Sequence, residues 1–164
     1  MRALSAAYET AKITPSTALE LGKDAWIGDF VFISLRQLTL GQGSQINAFA
    51  SLTGGGTVTV GQYSVIGYGV RIITGTDTPE GRYMADRAPT DQRRIVRGTV
   101  RIGDNCFIGA NSVISVSSRH PRIEIGHNTV VGAMSYLDKS IPDKVVGWGI
   151  PFKRRKKRRT DMTH

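Results

Sequence analysis

Residues 100–114 read VRIGDNCFIGANSVI, in which an isoleucine recurs at every sixth position after Ile102. The same six-residue spacing of an aliphatic residue, usually followed by Gly, runs through most of the chain. A fixed internal period is typical of solenoids, in which each coil stacks on the next. Three short strands per coil predict an all-β fold, a three-sided parallel β-helix of about five coils. The fifteen aliphatic positions, in groups of three, are Leu21, Ile27, Ile33; Leu40, Ile46, Leu52; Val60, Ile66, Ile72; Ile102, Ile108, Ile114; Ile125, Val131, Leu137.

Every departure from the six-residue step follows the third position of a group. The aliphatic positions step from 33 to 40, from 52 to 60, from 72 to 102 and from 114 to 125. All insertions therefore leave the same edge of the predicted prism, and the longest is a loop over residues 75–97. Insertions repeated on one face of a solenoid often mark its binding face, although an edge that merely tolerates insertion would show the same pattern.

The pattern divides the chain into three parts. A β-helix domain spans residues 21–141, and residues 1–20 form an N-terminal segment that allows a short helix at 3–11. Residues 142–164 form a closing segment followed by a basic tail, predicted to be mobile from residue 153. The run KRRKKRR at 153–159 contributes seven positive charges to a net charge of +9. The rest of the chain is close to neutral, which disfavours nucleic acid as a partner.

Composition excludes several classes of protein. No apolar run approaches the roughly 20 residues of a membrane span, and no signal-peptide core is present at the N-terminus. A single cysteine cannot form an internal disulfide, so nothing indicates export. Hydrophobic residues at 40% and charged residues at 21% are typical of a soluble globular protein. These observations predict a cytoplasmic protein.

The chain resembles the hexapeptide-repeat acyltransferases, and among them the sugar acetyltransferases of the galactoside and maltose type and those that modify surface polysaccharides. The resemblance is carried by residues 100–114 and by IEIGHNTVVGAMSYLDKSIPDKVVGWGIPFKRRKKR at 123–158. That stretch is similar to the family ending IGxGxxVGAxSxVTKxxPxxxxxxGxPAKxIxKR. The resemblance implies a left-handed β-helix, a homotrimer, and acetyl transfer from acetyl-CoA to a hydroxyl or amino group of a sugar. The acceptor would be a surface polysaccharide precursor or a nucleotide-activated sugar, and no metal is expected.

The resemblance also implies residues that bind acetyl-CoA in a groove between subunits. Ala110 and Ala133 match positions whose backbone amides contact the pantetheine arm. Asp138 and Lys139 match a Thr-Lys pair near the nucleotide end, and Lys153 and Arg154 match basic residues near the phosphates. A basic strip suits the negative charges of CoA. Taken alone, Lys139 is equally well explained as an exposed solubilising charge.

The long loop lacks the histidine with which many members of the family take the proton from a hydroxyl acceptor. Asp77 is the nearest equivalent, as a general base, as a group that orients the acceptor, or as an ordinary turn residue. An unperturbed carboxylate is a weak base at neutral pH, so an amine would be an easier acceptor than a hydroxyl. His120, in the next insertion on the same edge, is the alternative base, unless it is an ordinary loop residue.

The other candidate residues are less specific. Glu80, Arg82 and Tyr83 lie in the long loop and are predicted to contact the acceptor. Cys106 occupies a small inward position, which favours a buried structural thiol over a nucleophile. The remaining histidines are His127, expected on an exposed face, and His164 near the C-terminus.

Three functions compete on these grounds. Acetyl transfer is favoured, and the alternative is a catalytically inactive scaffold or a nucleic-acid binder that acts through the basic tail. A γ-type carbonic anhydrase would share the β-helix, but it needs three histidine ligands for zinc. His120, His127 and His164 do not provide a credible set.

Overall fold

A computed structural model describes residues 6–160, in which short parallel strands form the three sides of a β-helix. The predicted all-β class and stacked coils are confirmed, and the arrangement is consistent with the left-handed β-helix that the resemblance implies. The only helical element among residues 6–160 is a single 3-10 turn, Thr90–Gln92. No helix in this part of the chain is long and apolar enough to span a bilayer.

Side 1 is an eight-stranded sheet in the order β1-β4-β7-β10-β15-β18-β20-β21. All its neighbours pair in parallel except the last two, which are antiparallel. Its strands are β1 Ala6–Ala7, β4 Trp26–Ile27, β7 Gln45–Ile46, β10 Val65–Ile66, β15 Phe107–Ile108, β18 Val130–Val131, β20 Val145–Trp148 and β21 Lys153–Lys157.

Side 2 is a six-stranded sheet and side 3 a five-stranded one. The strands of side 2, in chain order, are β2 Lys12–Ile13, β5 Phe32–Ile33, β8 Ser51–Thr53, β11 Arg71–Ile73, β16 Val113–Ser115 and β19 Tyr136–Leu137. The strands of side 3 are β3 Ala18–Leu21, β6 Gln37–Leu40, β9 Thr57–Val60, β14 Thr99–Ile102 and β17 Arg122–Ile125.

The interior of the prism is filled by the predicted aliphatic ladder. Fourteen of the fifteen positions are at most 2% exposed, and Leu21 at the upper end is half-buried against them. In-register stacking explains this, since Ile72 lies directly between Leu52 and Ile114 on neighbouring coils. Burial of one such side chain contributes about 1.5–3 kcal/mol, so the repeated aliphatic residues dominate the stability of the fold.

Buried hydroxyl and thiol groups line the edge between sides 3 and 1. Ser64 donates through Oγ to the Gly103 carbonyl at 2.8 Å and accepts from the backbone N–H of Cys106 at 2.9 Å. Cys106 is 2% exposed, and its burial raises the pKa of the thiol. Where the small inward residue of a six-residue repeat is Ser, Thr or Cys, its side chain thus bonds to the backbone of the next coil, as Ser64 and Cys106 do.

The insertions leave one edge of the prism, as the spacing predicts. We call the edge between sides 2 and 3 the insertion edge; it comprises residues 34–36, 54–56, 74–98, 116–121 and 138–140. The long loop begins and ends as an antiparallel hairpin of β12, Gly75–Asp77, and β13, Ile95–Arg97.

The N-terminal segment differs from the expectation. The helix that the sequence allows at 3–11 is not formed in its described part, where Ala6–Ala7 is a strand paired with Trp26–Ile27. Tyr8 stacks on the Trp26 ring at a centroid distance of 5.8 Å. Parallel stacking on the first full coil therefore overrides the local sequence preference.

The C-terminal segment also differs from the expectation. Instead of a mobile tail, Lys153–Lys157 form a strand antiparallel to β20. Backbone hydrogen bonds hold this strand and do not depend on the identity of its side chains. All five side chains remain exposed to water. The Arg155 guanidinium lies 5.1 Å from the centre of the Trp148 ring, a cation–π contact that fixes the strand further. His164 lies outside the described residues.

Candidate active site

The hairpin positions Asp77 by an ion pair with Arg93. Arg93 Nε donates to Asp77 Oδ1 at 2.7 Å and Nη2 donates to Oδ2 at 2.6 Å, a bidentate contact. The Arg93 Nη2 also contacts Asp86 Oδ1 at 2.8 Å. The Asp77 side chain is only 14% exposed, whereas that of Asp86 is 94% exposed. Asp77 is therefore part of a strand held in one orientation, and not an ordinary turn residue.

This contact favours the ionised form of Asp77. The hydrogen bonds from Arg93 hold the pKa of the Asp77 carboxyl below its usual range, and the same contact raises the pKa of Arg93. An ionised carboxylate with a lowered pKa is a weaker proton acceptor than an ordinary one. Each carboxylate oxygen keeps a lone pair beyond the one that Arg93 uses, so Asp77 can still accept a hydrogen bond from a ligand.

Asp77 opens onto a cleft between the hairpin and the upper coils of side 2. This hairpin cleft has a volume of about 490 Å³. Its lining residues are Phe32, Ser34, Thr53, Gly54, Gly55, Gly75, Thr76, Asp77, Asp86, Arg93, Ile95 and Arg97. A cleft of this size, with charged side chains on the hairpin wall and one aromatic side chain on the coil wall, suits a small polar ligand.

His120 does not line the hairpin cleft. Its backbone N–H donates to Ser117 Oγ at 3.1 Å in an exposed turn. The turn is adjacent to the base of the hairpin, because the Thr99 N–H donates to the Pro121 carbonyl at 2.9 Å. The two insertions therefore meet through their backbones, while no hydrogen bond or ion pair joins Asp77 to His120 in the part of the chain that the structure describes. The role of His120 as a base stays a prediction.

The three other loop candidates lie on the outer side of the hairpin. Glu80 and Arg82 line a separate depression with Arg94. Tyr83 is 44% exposed, and the Arg82 guanidinium lies 5.3 Å from the centre of its ring. Within one chain these residues do not share the cleft of Asp77, so their predicted contact with the acceptor is not made by the hairpin cleft alone.

The residues that the resemblance assigns to CoA lie in two places. Ala110 and Ala133 occupy successive coils at the edge between sides 1 and 2, which we call the alanine edge (residues 109–111 and 132–134). The two corners are joined by the Met134 N–H, which donates to the Ala110 carbonyl at 2.8 Å. Their backbones therefore form a line parallel to the axis of the β-helix.

The charged members of the set gather near the lower end of the β-helix. Asp138, Lys139 and Arg154 line one cavity of about 240 Å³. Lys153 is the next residue on β21 and pairs with Trp148. Lys139 and Arg154 form no ion pair or side-chain hydrogen bond within residues 6–160, so both cations are available for a phosphate. The sequence does not indicate that Lys139 and Arg154 lie together, because it predicts a mobile tail where β21, the strand that contains Arg154, is formed.

His127 is exposed, as expected, and its Nδ1 accepts a hydrogen bond from the Asp104 N–H at 2.9 Å. Between residues 6 and 160, no three His, Cys, Asp or Glu side chains are grouped so that they could hold a metal ion.

Comparison with known proteins agrees with the fold. Residues 99–120 match the family model described as the hexapeptide repeat of succinyl-transferase. The chain is 27% identical over 138 residues to dTDP-4-amino-4,6-dideoxy-D-glucose acyltransferase of Escherichia coli, covering 82% of this chain and 69% of that protein. It is 28% identical over 133 residues to galactoside O-acetyltransferase of Escherichia coli K12, covering 80% and 60%.

Solved structures give the same result. AntD, an N-acyltransferase from Bacillus cereus in complex with dTDP and 3-hydroxybutyryl-CoA, superposes with a TM-score of 0.82 at 26% identity, covering 93% of this chain and 79% of AntD. A variant of AntD in complex with dTDP-4-amino-4,6-dideoxyglucose and coenzyme A superposes with a TM-score of 0.76 at 25% identity, covering 92% and 81%. The resemblance seen in the sequence is confirmed: this chain has the β-helix fold of hexapeptide-repeat proteins and is similar to acyltransferases that act on sugars.

Proposed function

We propose that the protein transfers an acetyl group from acetyl-CoA to the amino group of a sugar. The observation that carries this proposal is the bidentate pairing of Asp77 with Arg93, which keeps the carboxylate ionised. Such a carboxylate is poorly suited to take a proton from a hydroxyl, but it can accept a hydrogen bond from an amine and orient its lone pair. The similarity to AntD, an N-acyltransferase, supports the choice of an amine.

The reaction needs little proton chemistry from the protein. The neutral amine nitrogen bonds to the acyl carbon, the thioester C–S bond breaks, and the nitrogen loses a proton while the thiolate gains one. Asp77 holds the amine in place for this attack, and backbone N–H groups at the coil edge are available to the developing oxyanion. In this assignment Asp77 is a positioning group that touches the acceptor.

A homotrimer would complete the site. The alanine edge and the hairpin lie at opposite ends of side 2, and five residues of extended chain separate Ala110 from Ser115, a span of roughly 16 Å. A hairpin from one subunit placed beside the alanine edge of the next would bring Asp77 to the acyl donor.

The outer face of side 1 supports this assembly. Its outward ladder runs Trp26, Gln45, Val65, Phe107, Val130. Phe107 is 45% exposed in the single chain. By contrast, one outward row of side 3 runs Ala18, Gln37, Thr57, Thr99, Arg122. An outward row that is more apolar than that of side 3 is the pattern of a surface that packs against other copies.

The activity is tested with acetyl-CoA and a panel of acceptors: dTDP-4-amino-4,6-dideoxyglucose, glucosamine and a galactoside. We expect release of the CoA thiol with an amino sugar, and a higher melting temperature in the presence of acetyl-CoA. Thiol release with the galactoside alone would overturn the choice of an amine. No thiol release from any acceptor, with no shift in melting temperature, would instead favour an inactive scaffold.

The cavity lined by Asp138, Lys139 and Arg154 should bind the phosphates of CoA. Replacing Lys139 or Arg154 with Ala should raise the Kd for CoA roughly 3- to 10-fold, because one charge-assisted contact is lost. The measurement is isothermal titration calorimetry, with Lys23→Ala, an exposed cation on another edge, as the matched control. The difference in Kd between these variants and the wild type should be smaller for dephospho-CoA than for CoA. An unchanged Kd in both variants would mean that CoA lies elsewhere.

A further inference from the structure

Among the described residues that line the hairpin cleft, Arg97 is the one cation without an ion-pair partner. The guanidinium of Arg93 is held by Asp77 and Asp86. Arg97 lines the same cleft, is exposed, and makes no ion pair or side-chain hydrogen bond within the described range 6–160. Its charge is near enough to Asp77 to contribute to the lowered pKa of that carboxyl. An unpaired guanidinium inside a ligand cleft points to an anionic group on the ligand.

The hairpin register fixes where Arg97 lies relative to Asp77. Asp77 is opposite Ile95, and Gly75 is opposite Arg97. Directly opposed residues of an antiparallel pair, and residues two apart on one strand, share a face. Asp77 and Arg97 therefore point to the same side, roughly 7 Å apart along the hairpin. This is about the span of a single hexose ring.

Two glycines form the turn beneath Arg97 and hold its side chain at the cleft. Gly54 and Gly55 have φ angles of +101° and +69°, a conformation that favours glycine. A Cβ added at Gly55 would lie 3.3 Å from Arg97 Nε. Glycine at this position therefore lets the Arg97 side chain lie directly over the turn, where a larger residue would displace it.

We infer that Arg97 binds the diphosphate of a nucleotide-activated sugar, so that the acceptor is a nucleoside diphosphate amino sugar. This inference rests on the proposed function. The amino group would contact Asp77, the sugar ring would lie along the hairpin, and the phosphate at the anomeric carbon would reach Arg97. Phe32, 38% exposed on the opposite wall of the cleft, offers an aromatic face for the base.

The test measures binding of dTDP, thymidine and CoA separately by calorimetry. Arg97→Ala should weaken dTDP binding roughly 10- to 100-fold, and Arg97→Lys should weaken it less, because the charge remains while the planar fork is lost. Thymidine and CoA should bind the wild type and both variants equally. Arg94→Ala is the matched control, since Arg94 is on the same hairpin but lines the outer depression.

Three results would overturn the inference. Equal dTDP affinity in the wild type and in Arg97→Ala would show that Arg97 does not bind the phosphate. Weakened CoA binding with unchanged dTDP binding would assign Arg97 to the donor. Transfer to a free amino sugar without any dTDP binding would make the substrate class wrong while the proposed acetyl transfer stands. If the proposed function itself were wrong, no acetyl transfer to any acceptor would be detected.

Discussion

Replacing Asp77 with Asn should lower kcat for acyl transfer at least about 100-fold, with the Kd for CoA nearly unchanged. Asparagine keeps the size of the side chain, but it removes the charge and turns an amide N–H₂ toward either Arg93 or the incoming amine. The control is Asp86→Asn, because Asp86 contacts the same Arg93 Nη2 at 2.8 Å yet is almost fully exposed. We expect kcat of this control to stay within a few-fold of the wild type. Near-normal turnover of Asp77→Asn on the true acceptor would remove Asp77 from the site.

The pH dependence separates a positioning role from a general base. Because Arg93 lowers the pKa of Asp77, the carboxylate is ionised throughout the neutral range, and the ion pair weakens only when the pH falls through that lowered value. The rate should therefore rise with pH as the acceptor amine loses its proton, without an inflection from Asp77. An inflection near neutral pH that disappears in Asp77→Asn would identify Asp77 as the base. One that disappears in His120→Ala would identify His120 instead.

The β-helix was predictable because the aliphatic residues whose burial stabilises it recur at a fixed period. An aliphatic residue at every sixth position can be buried in only one way when coils stack in register, and Ile72 between Leu52 and Ile114 shows the outcome. The position of the insertion edge was predictable from the spacing of the same aliphatic residues. Strand β21 could not be predicted, since lysine and arginine do not favour strands and its pairing depends on the unpaired edge of β20.

The candidate site was predictable only in part. The spacing placed Asp77 at the insertion edge, but the role of Asp77 depends on Arg93, which lies sixteen residues later and is brought within hydrogen-bond distance only by the hairpin. No sequence pattern marks Arg97 as the unpaired cation or places Glu80 and Arg82 on the outer side. Such assignments depend on which face of a two-stranded hairpin each residue occupies. A shift of the strand pairing by one residue would move every side chain to the opposite face.

Mixed trimers should show that each site is built from two subunits. Asp77→Asn damages the hairpin side of a site, and Ala133→Trp places a large ring on the exposed alanine edge and should block the donor groove. Each variant alone should be nearly inactive. When the two are co-expressed and purified through two different tags, sites that pair an intact hairpin with an intact alanine edge should reappear.

The expected recovery follows from counting. In a trimer that contains both variants, one of the three sites receives both intact halves, so the doubly purified mixture should regain up to about a third of wild-type activity. Light scattering must give a trimer mass for each variant, which checks that Ala133→Trp has not simply prevented assembly. If a site used the hairpin and the alanine edge of the same chain, every chain in the mixture would carry one damaged half, and mixing would restore nothing. Recovery would also account for the roughly 16 Å between Ala110 and the insertion edge, since a neighbouring subunit would close that distance.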